Sequence, residues 1–177
     1  SYGDYLRCGS MASKSKIMQS VLNFAQGGGK VMGICNGFQI LVESGLLPGV
    51  LLRNKYLEFI CKNVFVKIND KDNTYFKDLE KDTLKLHIAH NEGNYFCSNE
   101  QIKEIDDNNQ IALLYSSEAG VINQDSNPNG SIKNIAGIFN KEKNVLGMMP
   151  HPERMIDSAL SGEDGSLFFE NLINNLK

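Results

Sequence analysis

The 177-residue sequence predicts an α/β fold on the basis of three observations. A short apolar stretch, 30–34, passes through a tight turn into an apolar helix that ends at a glycine, and this succession is one half of a βαβ unit. Amphipathic helical patterns lie near both ends of the chain. Between them, short apolar runs alternate at the period of two that is typical of strands. These patterns predict a sheet with helices packed against it.

In the first half of the chain we predict a helix over 13–26, a strand over 30–34 and a second helix over about 38–44. Ser13 is a plausible N-cap of the first helix, and the glycine run 27–29 ends it. The same run followed by Lys30 does not match a phosphate-binding loop, because Phe24 stands where that motif has its first glycine. Gly45 supplies a left-handed cap after the second helix.

The second half is predicted to be rich in strands. The strand patterns cover 56–68, 84–88, 111–115, 135–139 and 145–149, and a final helix covers 166–176. Val64, Val66 and Ile68 share one face at a period of two. The polar segment 102–110 fits either a short helix or a loop. The final helix is expected to turn its apolar side chains towards the core: Leu167, Phe168, Leu172, Ile173 and Leu176.

Composition and charge indicate one globular domain. The hydrophobic fraction is 41% and the charged fraction 22%, and the net charge of -3 gives no indication of nucleic acid or an anionic membrane as a partner. No apolar run approaches the roughly 18 residues of a membrane-spanning helix. The cysteines are irregularly spaced, which favours free thiols in a reducing compartment, and we therefore expect a cytoplasmic protein. They are Cys8, Cys35, Cys61 and Cys97.

The stretch 31–41 has the pattern of a nucleophile elbow with cysteine as the nucleophile. Gly33 and Gly37 flank Cys35 at two residues on either side. At such an elbow the central residue has a strained backbone, and the strand and helix approach so closely that flanking side chains would clash. The sulfur is then exposed at the start of a helix, whose dipole favours a thiolate. A buried structural cysteine is the alternative interpretation.

His151-Pro152-Glu153 supplies the base and the orienting group that a cysteine nucleophile needs. Proline favours an extended backbone, in which residues i and i+2 point the same way, so Glu153 can hold Nδ1 of His151 and leave Nε2 for the sulfur. His90 is the rival base, although its glycine-ended turn better suits a loop that contacts substrate. We expect His87 to be structural, and a metal site formed by both of these histidines with Glu92 matches no strong ligand signature.

With these motifs the sequence resembles the class I, triad-type glutamine amidotransferases. Within that family, the resemblance is to the small, separate glutaminase subunits of phosphoribosylformylglycinamidine synthase, from de novo purine synthesis. Further matching stretches are 1–7, 89–93, 127–131, 134–138 and 147–154, so the resemblance covers essentially the whole chain as one glutamine amidotransferase type 1 domain, 1–177. It implies a flavodoxin-like, mostly parallel sheet with helices on both faces.

The resemblance also implies a reaction. Cys35 would attack the amide of glutamine to give a thioester and ammonia, with His151 relaying protons and Glu153 orienting it. The backbone N–H of Asn36 would be one oxyanion donor, Gln39 would lie in the glutamine pocket, and the loop of His90 and Glu92 would lie near it. The chain would have no metal or cofactor of its own. It would pass ammonia to a synthetase subunit that uses ATP and Mg²⁺, with a small third subunit as a further partner.

By comparison with the family, about forty residues that carry the first strand and helix of the sheet are expected before residue 1. That segment would supply the second oxyanion donor. Three rival functions stay open at this point. They are a glutaminase subunit for another ATP-dependent amidation, a non-catalytic glutamine-binding regulatory subunit, and a related cysteine hydrolase or deglycase.

Overall fold

The computed structural model describes residue 7, residues 9–159 and residues 162–176. The matching stretch at residues 1–6 and the thiol of Cys8 lie outside the described residues. The helices are α1 (Ser10–Ser13), α2 (Lys16–Gln26), α3 (Asn36–Glu43), α4 (Asn99–Asp107) and α5 (Asp164–Asn175). The strands are β1 (Val31–Ile34), β2 (Val50–Leu52), β3 (Ile60–Ile68), β4 (Thr83–His90), β5 (Asn94–Phe96), β6 (Ile111–Ser116), β7 (Ile135–Phe139) and β8 (Val145–Met148). Short 3₁₀ turns occupy Ile132–Asn134 and Pro152–Arg154.

Six of the strands form one sheet in the order β1-β8-β7-β6-β3-β4, and β2 pairs with β5 in a small second sheet. The α/β class is confirmed, but the expectation of a mostly parallel sheet is wrong for the described strands. Only β1 and β8 pair in parallel, whereas the other neighbours in the large sheet pair antiparallel. The cause is connectivity, because β7 and β8 are joined by a short hairpin over 140–144, and a hairpin can only join antiparallel strands.

Helices cover both faces of this sheet, as the resemblance implies. On one face, Phe168 and Leu172 of α5 pack into a cluster that includes Val64, Val66 and Leu86 of β3 and β4. On the other face, α2, α3 and α4 contribute the buried residues of a second cluster with β6, β7 and β8: Ala25, Phe38, Leu41, Val42, Ile105, Ile111, Ile138 and Val145. Burial on both faces explains why β6, β7 and β8 are continuous apolar runs.

The predicted elements exist, but several limits differ. The helix predicted over 13–26 begins only at Lys16, as α2, with Ser15 and not Ser13 at its N-cap, and Ser13 instead ends the separate short helix α1. The ambiguous segment 102–110 lies largely in a helix, α4, which begins with a capping box between Ser98 and Gln101. The strand predicted from residue 56 begins only at Ile60, since the backbone of Leu57 has a positive φ of 58° that a strand cannot accommodate.

The apolar face predicted for α5 is only half right. Phe168 and Leu172 are buried, whereas Leu167, Ile173 and Leu176 are 38%, 61% and 51% exposed. The buried face instead includes Asn171, whose side chain donates a hydrogen bond to the carbonyl of Tyr75. In the part of the chain that the structure describes, no helix is long and apolar enough to cross a membrane.

Candidate active site

Cys35 lies at the tip of a sharp turn between β1 and α3. Its φ of 50° and ψ of -105° are strained for a residue with a side chain, as expected at a nucleophile elbow. A Cβ on Gly33 would lie 2.5 Å from Cδ1 of Leu41 and 2.6 Å from the backbone of Gly37, so the close approach predicted there is confirmed. A Cβ on Gly37 would meet no described atom within 4 Å, so the clash predicted at that second glycine is wrong.

The parallel pair of β1 and β8 brings the second half of the site to Cys35. Ile34 at the end of β1 is in register with Met148 at the end of β8, and the N–H of Cys35 donates to the carbonyl of Met148 at 2.8 Å. His151 follows β8 by three residues, and its N–H donates to the carbonyl of His87 on β4 at 2.7 Å. Parallel neighbours end at the same edge of a sheet, which is why residues 116 positions apart in sequence meet here.

His151 and Glu153 form the expected pair. Nδ1 of His151 lies 2.5 Å from Oε1 of Glu153, and since a carboxylate oxygen can only accept, Nδ1 carries the proton. The backbone of His151 is extended, but Pro152–Arg154 form a 3₁₀ turn, so the extended i, i+2 geometry that we expected holds only at its first residue. Nε2 of His151 is buried and bonded to no nitrogen or oxygen of the described residues.

The electrostatics of the site favour a charged imidazole. Burial lowers the pKa of His151, but the Cys35 side chain and the Glu153 carboxylate outweigh burial and raise that pKa to about 9. Burial raises the pKa of Glu153, but its hydrogen bond with His151 and the nearby positive charges lower that pKa overall. His151 is therefore protonated at neutral pH, with Glu153 on one side of the ring and the Cys35 sulfur as the other interacting group.

Gln39 ties the helix that begins at Cys35 to a neighbouring loop. Its side chain is 5% exposed, Nε2 donates to the carbonyl of Glu92 at 2.7 Å, and Oε1 accepts from Nδ2 of Asn36 at 2.8 Å. The carboxylate of Glu92 pairs with Nε of Arg53 at 3.7 Å. Gln39 and Glu92, both named from the sequence, are thus brought together beside α3, with the amide of Gln39 engaged at both ends.

The rival base, His90, has a different environment. It is 3% exposed, and burial, followed by the charge of His151, lowers its pKa to about 4, so it is neutral at pH 7. Its Nδ1 lies 3.1 Å from Oδ1 of Asn54, and a Cβ on Gly93 would lie 2.4 Å from its ring. Cys35 Sγ contacts the neighbouring carbonyl of Ala89 at 3.8 Å. His90 therefore lies beside the site as a fixed, neutral ring that Asn54 holds, whereas Glu153 pairs with His151.

Asn54 is a structural residue of the site that sequence reasoning missed. It is 1% exposed, and its Oδ1 accepts from Nδ1 of His90 and from the N–H of Gly93 at 3.2 Å. Its Nδ2 donates to the carbonyl of Glu58 at 2.8 Å and to that of His90 at 2.9 Å. One side chain therefore fixes the loop that carries Glu92. The only signal in the sequence was a polar asparagine between two apolar strands, which is not specific.

A second buried group supports the same loop from behind. Nδ2 of Asn129 donates to the carbonyl of Gly93 at 2.8 Å, and Oγ of Ser131 donates to that carbonyl at 3.2 Å. Both side chains are at most 2% exposed. The segment 127–131, one of the stretches on which the family resemblance depends, therefore holds this loop through its buried polar side chains.

The described residues do not form the alternative metal site. His87 engages Asn63 and Cys61, whereas His90 engages Asn54, so the two rings do not converge. Across the described part of the chain, no group of three or more His, Cys, Asp and Glu side chains could hold a metal ion. Cys35, Cys61 and Cys97 are free thiols. The cavity of about 560 Å³ lined by Leu46, Leu47 and Ile105 includes neither Cys35 nor His151.

A strained, partly exposed cysteine beside a charged histidine that a carboxylate orients is an arrangement suited to acyl transfer. The sulfur can form a covalent acyl intermediate, and the histidine can carry protons to and from the reacting groups. The start of α3 places helix amides and the positive end of the helix dipole where negative charge would develop.

Comparisons with known proteins agree with this geometry. A family model described as a CobB/CobQ-like glutamine amidotransferase domain matches residues 1–162. A curated protein of Pelagibacter ubique, named phosphoribosylformylglycinamidine synthase subunit PurQ, is 84% identical over 177 residues, which are 100% of this chain and 78% of that protein. A protein of the same name from Sulfurimonas denitrificans is 51% identical over 93% of this chain and 73% of its own length.

Among solved structures, the chain is similar to one described as the structure of PurLQS from Thermotoga maritima. The TM-score is 0.84 at 37% sequence identity, and the match covers 100% of this chain and 76% of that one. A glutamine amidotransferase of Thermotoga maritima gives a TM-score of 0.56 at 16% identity, which supports the fold alone.

Proposed function

The chain belongs to the CobB/CobQ-like glutamine amidotransferase family, and we propose that it hydrolyses glutamine through a thioester on Cys35. The observation that carries this proposal is the meeting of the Cys35 elbow with the His151–Glu153 pair at the ends of β1 and β8. The chain functions as the glutaminase subunit of phosphoribosylformylglycinamidine synthase, in purine biosynthesis. Its partner is the synthetase subunit, PurL in the Thermotoga assembly.

In the first step, the Cys35 sulfur attacks the side-chain amide carbon of glutamine. The C–N bond then breaks as His151, which is protonated at neutral pH, gives a proton to the departing nitrogen, so that ammonia leaves and a γ-glutamyl thioester remains. Glu153 holds the Nδ1–H tautomer throughout, which keeps Nε2 for this transfer.

In the second step, His151 takes a proton from water, and the water oxygen attacks the thioester. The Cys35 sulfur leaves and glutamate is released. We assign the backbone N–H of Asn36 as one oxyanion donor, because it is the first residue of α3 after the nucleophile. The ammonia is transferred to the synthetase subunit, which would bind ATP and Mg²⁺, and we place this reaction in the cytoplasm.

We also propose that Gln39, His90 and Glu92 line the glutamine pocket. In support, Gln39 lies in the first turns of α3, and His90 and Glu92 lie at the end of β4 and in the loop that follows it, and both segments border Cys35. Because the side-chain amide of Gln39 is engaged by Asn36 and Glu92, its contribution is to hold the pocket wall in place. A glutaminase subunit for a different amidation would use the same chemistry, and the amide acceptor of the assembly distinguishes the two.

The test is glutamate release by the chain alone and by its assembly with the synthetase subunit, ATP and the ribonucleotide substrate. We expect strong stimulation in the assembly and, for Cys35→Ala, a loss of roughly four to six orders of magnitude. Cys61→Ser is the matched control, since Cys61 is a free thiol outside the proposed triad, and its glutamate release should equal that of the wild type. Turnover by Cys35→Ala at the wild-type rate would refute the mechanism.

A further inference from the structure

A second group of potentially reactive side chains lies outside the candidate active site, on β3 and β4. We call Cys61, Asn63 and His87 the Cys61 cluster. Asn63 and His87 are direct partners in the antiparallel pair, and Cys61 is two residues before Asn63, on the same face of the sheet. Cys61 and Asn63 are exposed, and His87 is half-buried. The thiol is therefore accessible to small molecules in solution.

The hydrogen bonds of the cluster fix the protonation of the ring. Nδ1 of His87 lies 2.9 Å from Oδ1 of Asn63, and because this oxygen can only accept, Nδ1 carries the proton. Nε2 then has a lone pair, and it lies 3.4 Å from Sγ of Cys61. The thiol of Cys61 therefore donates to an imidazole that is oriented by an asparagine, an arrangement also used by papain-like cysteine enzymes.

The imidazole is in the correct state to accept a proton. Burial, followed by the positive charges of Arg154 and His151, lowers the pKa of His87, so the ring is neutral at pH 7. The side chains of the cluster make their own pairings, because Asn63 orients His87 and Glu153 orients His151, and the hydrogen bond between the two histidines joins only their backbones. Each of the two cysteines thus has its own histidine.

We propose that Cys61 is a thiol–disulfide exchange site for low-molecular-weight disulfides, with His87 as the base and Asn63 as the group that orients it. An exposed sheet face suits this reaction, because exchange between sulfurs develops no oxyanion and needs only access and a base. The Cys61 sulfur bonds to one sulfur of the disulfide, and the disulfide's own S–S bond breaks. His87 takes the thiol proton and returns it to the departing thiolate, so that Cys61 is oxidised and the second thiol is released.

The test uses 4,4′-dithiodipyridine at pH 7, with the time course of labelling at Cys61 followed by mass spectrometry of its peptide, because Cys35 also reacts and total thiopyridone release would not separate the two thiols. We expect Cys61 to be labelled and the buried Cys97 to stay unlabelled. His87→Gln should slow labelling of Cys61 at least tenfold, because a positioned general base typically contributes roughly 10²–10⁴. Asn63→Ala, at an exposed position, should slow it several-fold.

Lys85→Gln is the matched control, because Lys85 lies on the same face of β4 two residues from His87, and it should keep the rate within about twofold. The absence of label on Cys97 reports in each variant that the fold is intact. Rates for both His87→Gln and Asn63→Ala within twofold of the wild type would overturn the proposal. So would a wild-type Cys61 that reacts no faster than a cysteine in an unfolded peptide.

Discussion

Replacing Asn54 with alanine tests how the loop that carries Glu92 is held in place. The substitution removes an acceptor from Nδ1 of His90 and the N–H of Gly93, and a donor from the carbonyls of Glu58 and His90. A buried polar group left without a partner costs about 1–3 kcal/mol. Because Asn54 and His90 are at most 3% exposed, water can replace few of these bonds, and we expect a total loss of about 3–5 kcal/mol in the free energy of unfolding.

The assay is urea unfolding together with the glutamine KM of the assembly with the synthetase subunit. Besides losing stability, Asn54→Ala should raise the KM more than it lowers kcat, because it releases the loop of Glu92 and leaves the Cys35–His151–Glu153 set in place. Asn69→Ala is the matched control, since that exposed side chain donates one hydrogen bond, to the carbonyl of Ile111, and should cost less than about 1 kcal/mol. Equal losses for the two variants, with an unchanged KM, would refute this reasoning.

Two further predictions concern the charge and the turn of the site. The interactions of the charged His151 with the Cys35 side chain and with Glu153 should stabilise the fold fully at about pH 6, because they raise the pKa of His151 from 6.5 to about 9 and the pKa of Glu153 is lowered from 4.5. This stabilisation is lost as the pH rises through about 9. Glu153→Gln should flatten the pH dependence of the free energy of unfolding, measured by urea unfolding at pH 6, 7.5 and 9. A pH dependence equal to that of the wild type would contradict the pairing of His151 with Glu153. Gly33→Ala should lower the free energy of unfolding by about 1–3 kcal/mol, because its Cβ would overlap Leu41. Gly37→Ala, where a Cβ has room, should leave stability in thermal unfolding unchanged or raise it. Equal effects of the two substitutions would argue against the elbow geometry.

The residues of the proposed triad could be named from sequence because each lies in a short local motif. The glycines around Cys35 indicate a sharp turn, and the prolines around His151 indicate a restricted backbone. Neighbouring residues alone were therefore enough to single out Cys35 and His151. Their meeting depends on the parallel pairing of β1 with β8, which no local pattern shows. The α/β class followed from the order of the patterns, but the antiparallel pairs of the sheet follow from which strands the hairpins join.

The supporting residues could not be predicted for the same reason. Asn54 acts on His90, 36 residues away, and Asn129 acts on Gly93, also 36 residues away. A buried asparagine and an exposed one look alike in a sequence, and only the fold distinguishes them. The prediction of the buried face of α5 was partly wrong for a related reason, since exposed apolar residues such as Ile173 follow the same helical spacing as the buried ones.

The most direct test of the central claim is to treat the assembly with the glutamine analogue 6-diazo-5-oxo-L-norleucine and to map the modified peptide by mass spectrometry. The glutaminase mechanism predicts one covalent adduct, on Cys35, and protection by excess glutamine. Cys61 and Cys97 should carry none, because neither lies beside the His151–Glu153 pair. An adduct on either of those cysteines with Cys35 unmodified, or labelling that glutamine does not prevent, would contradict the mechanism.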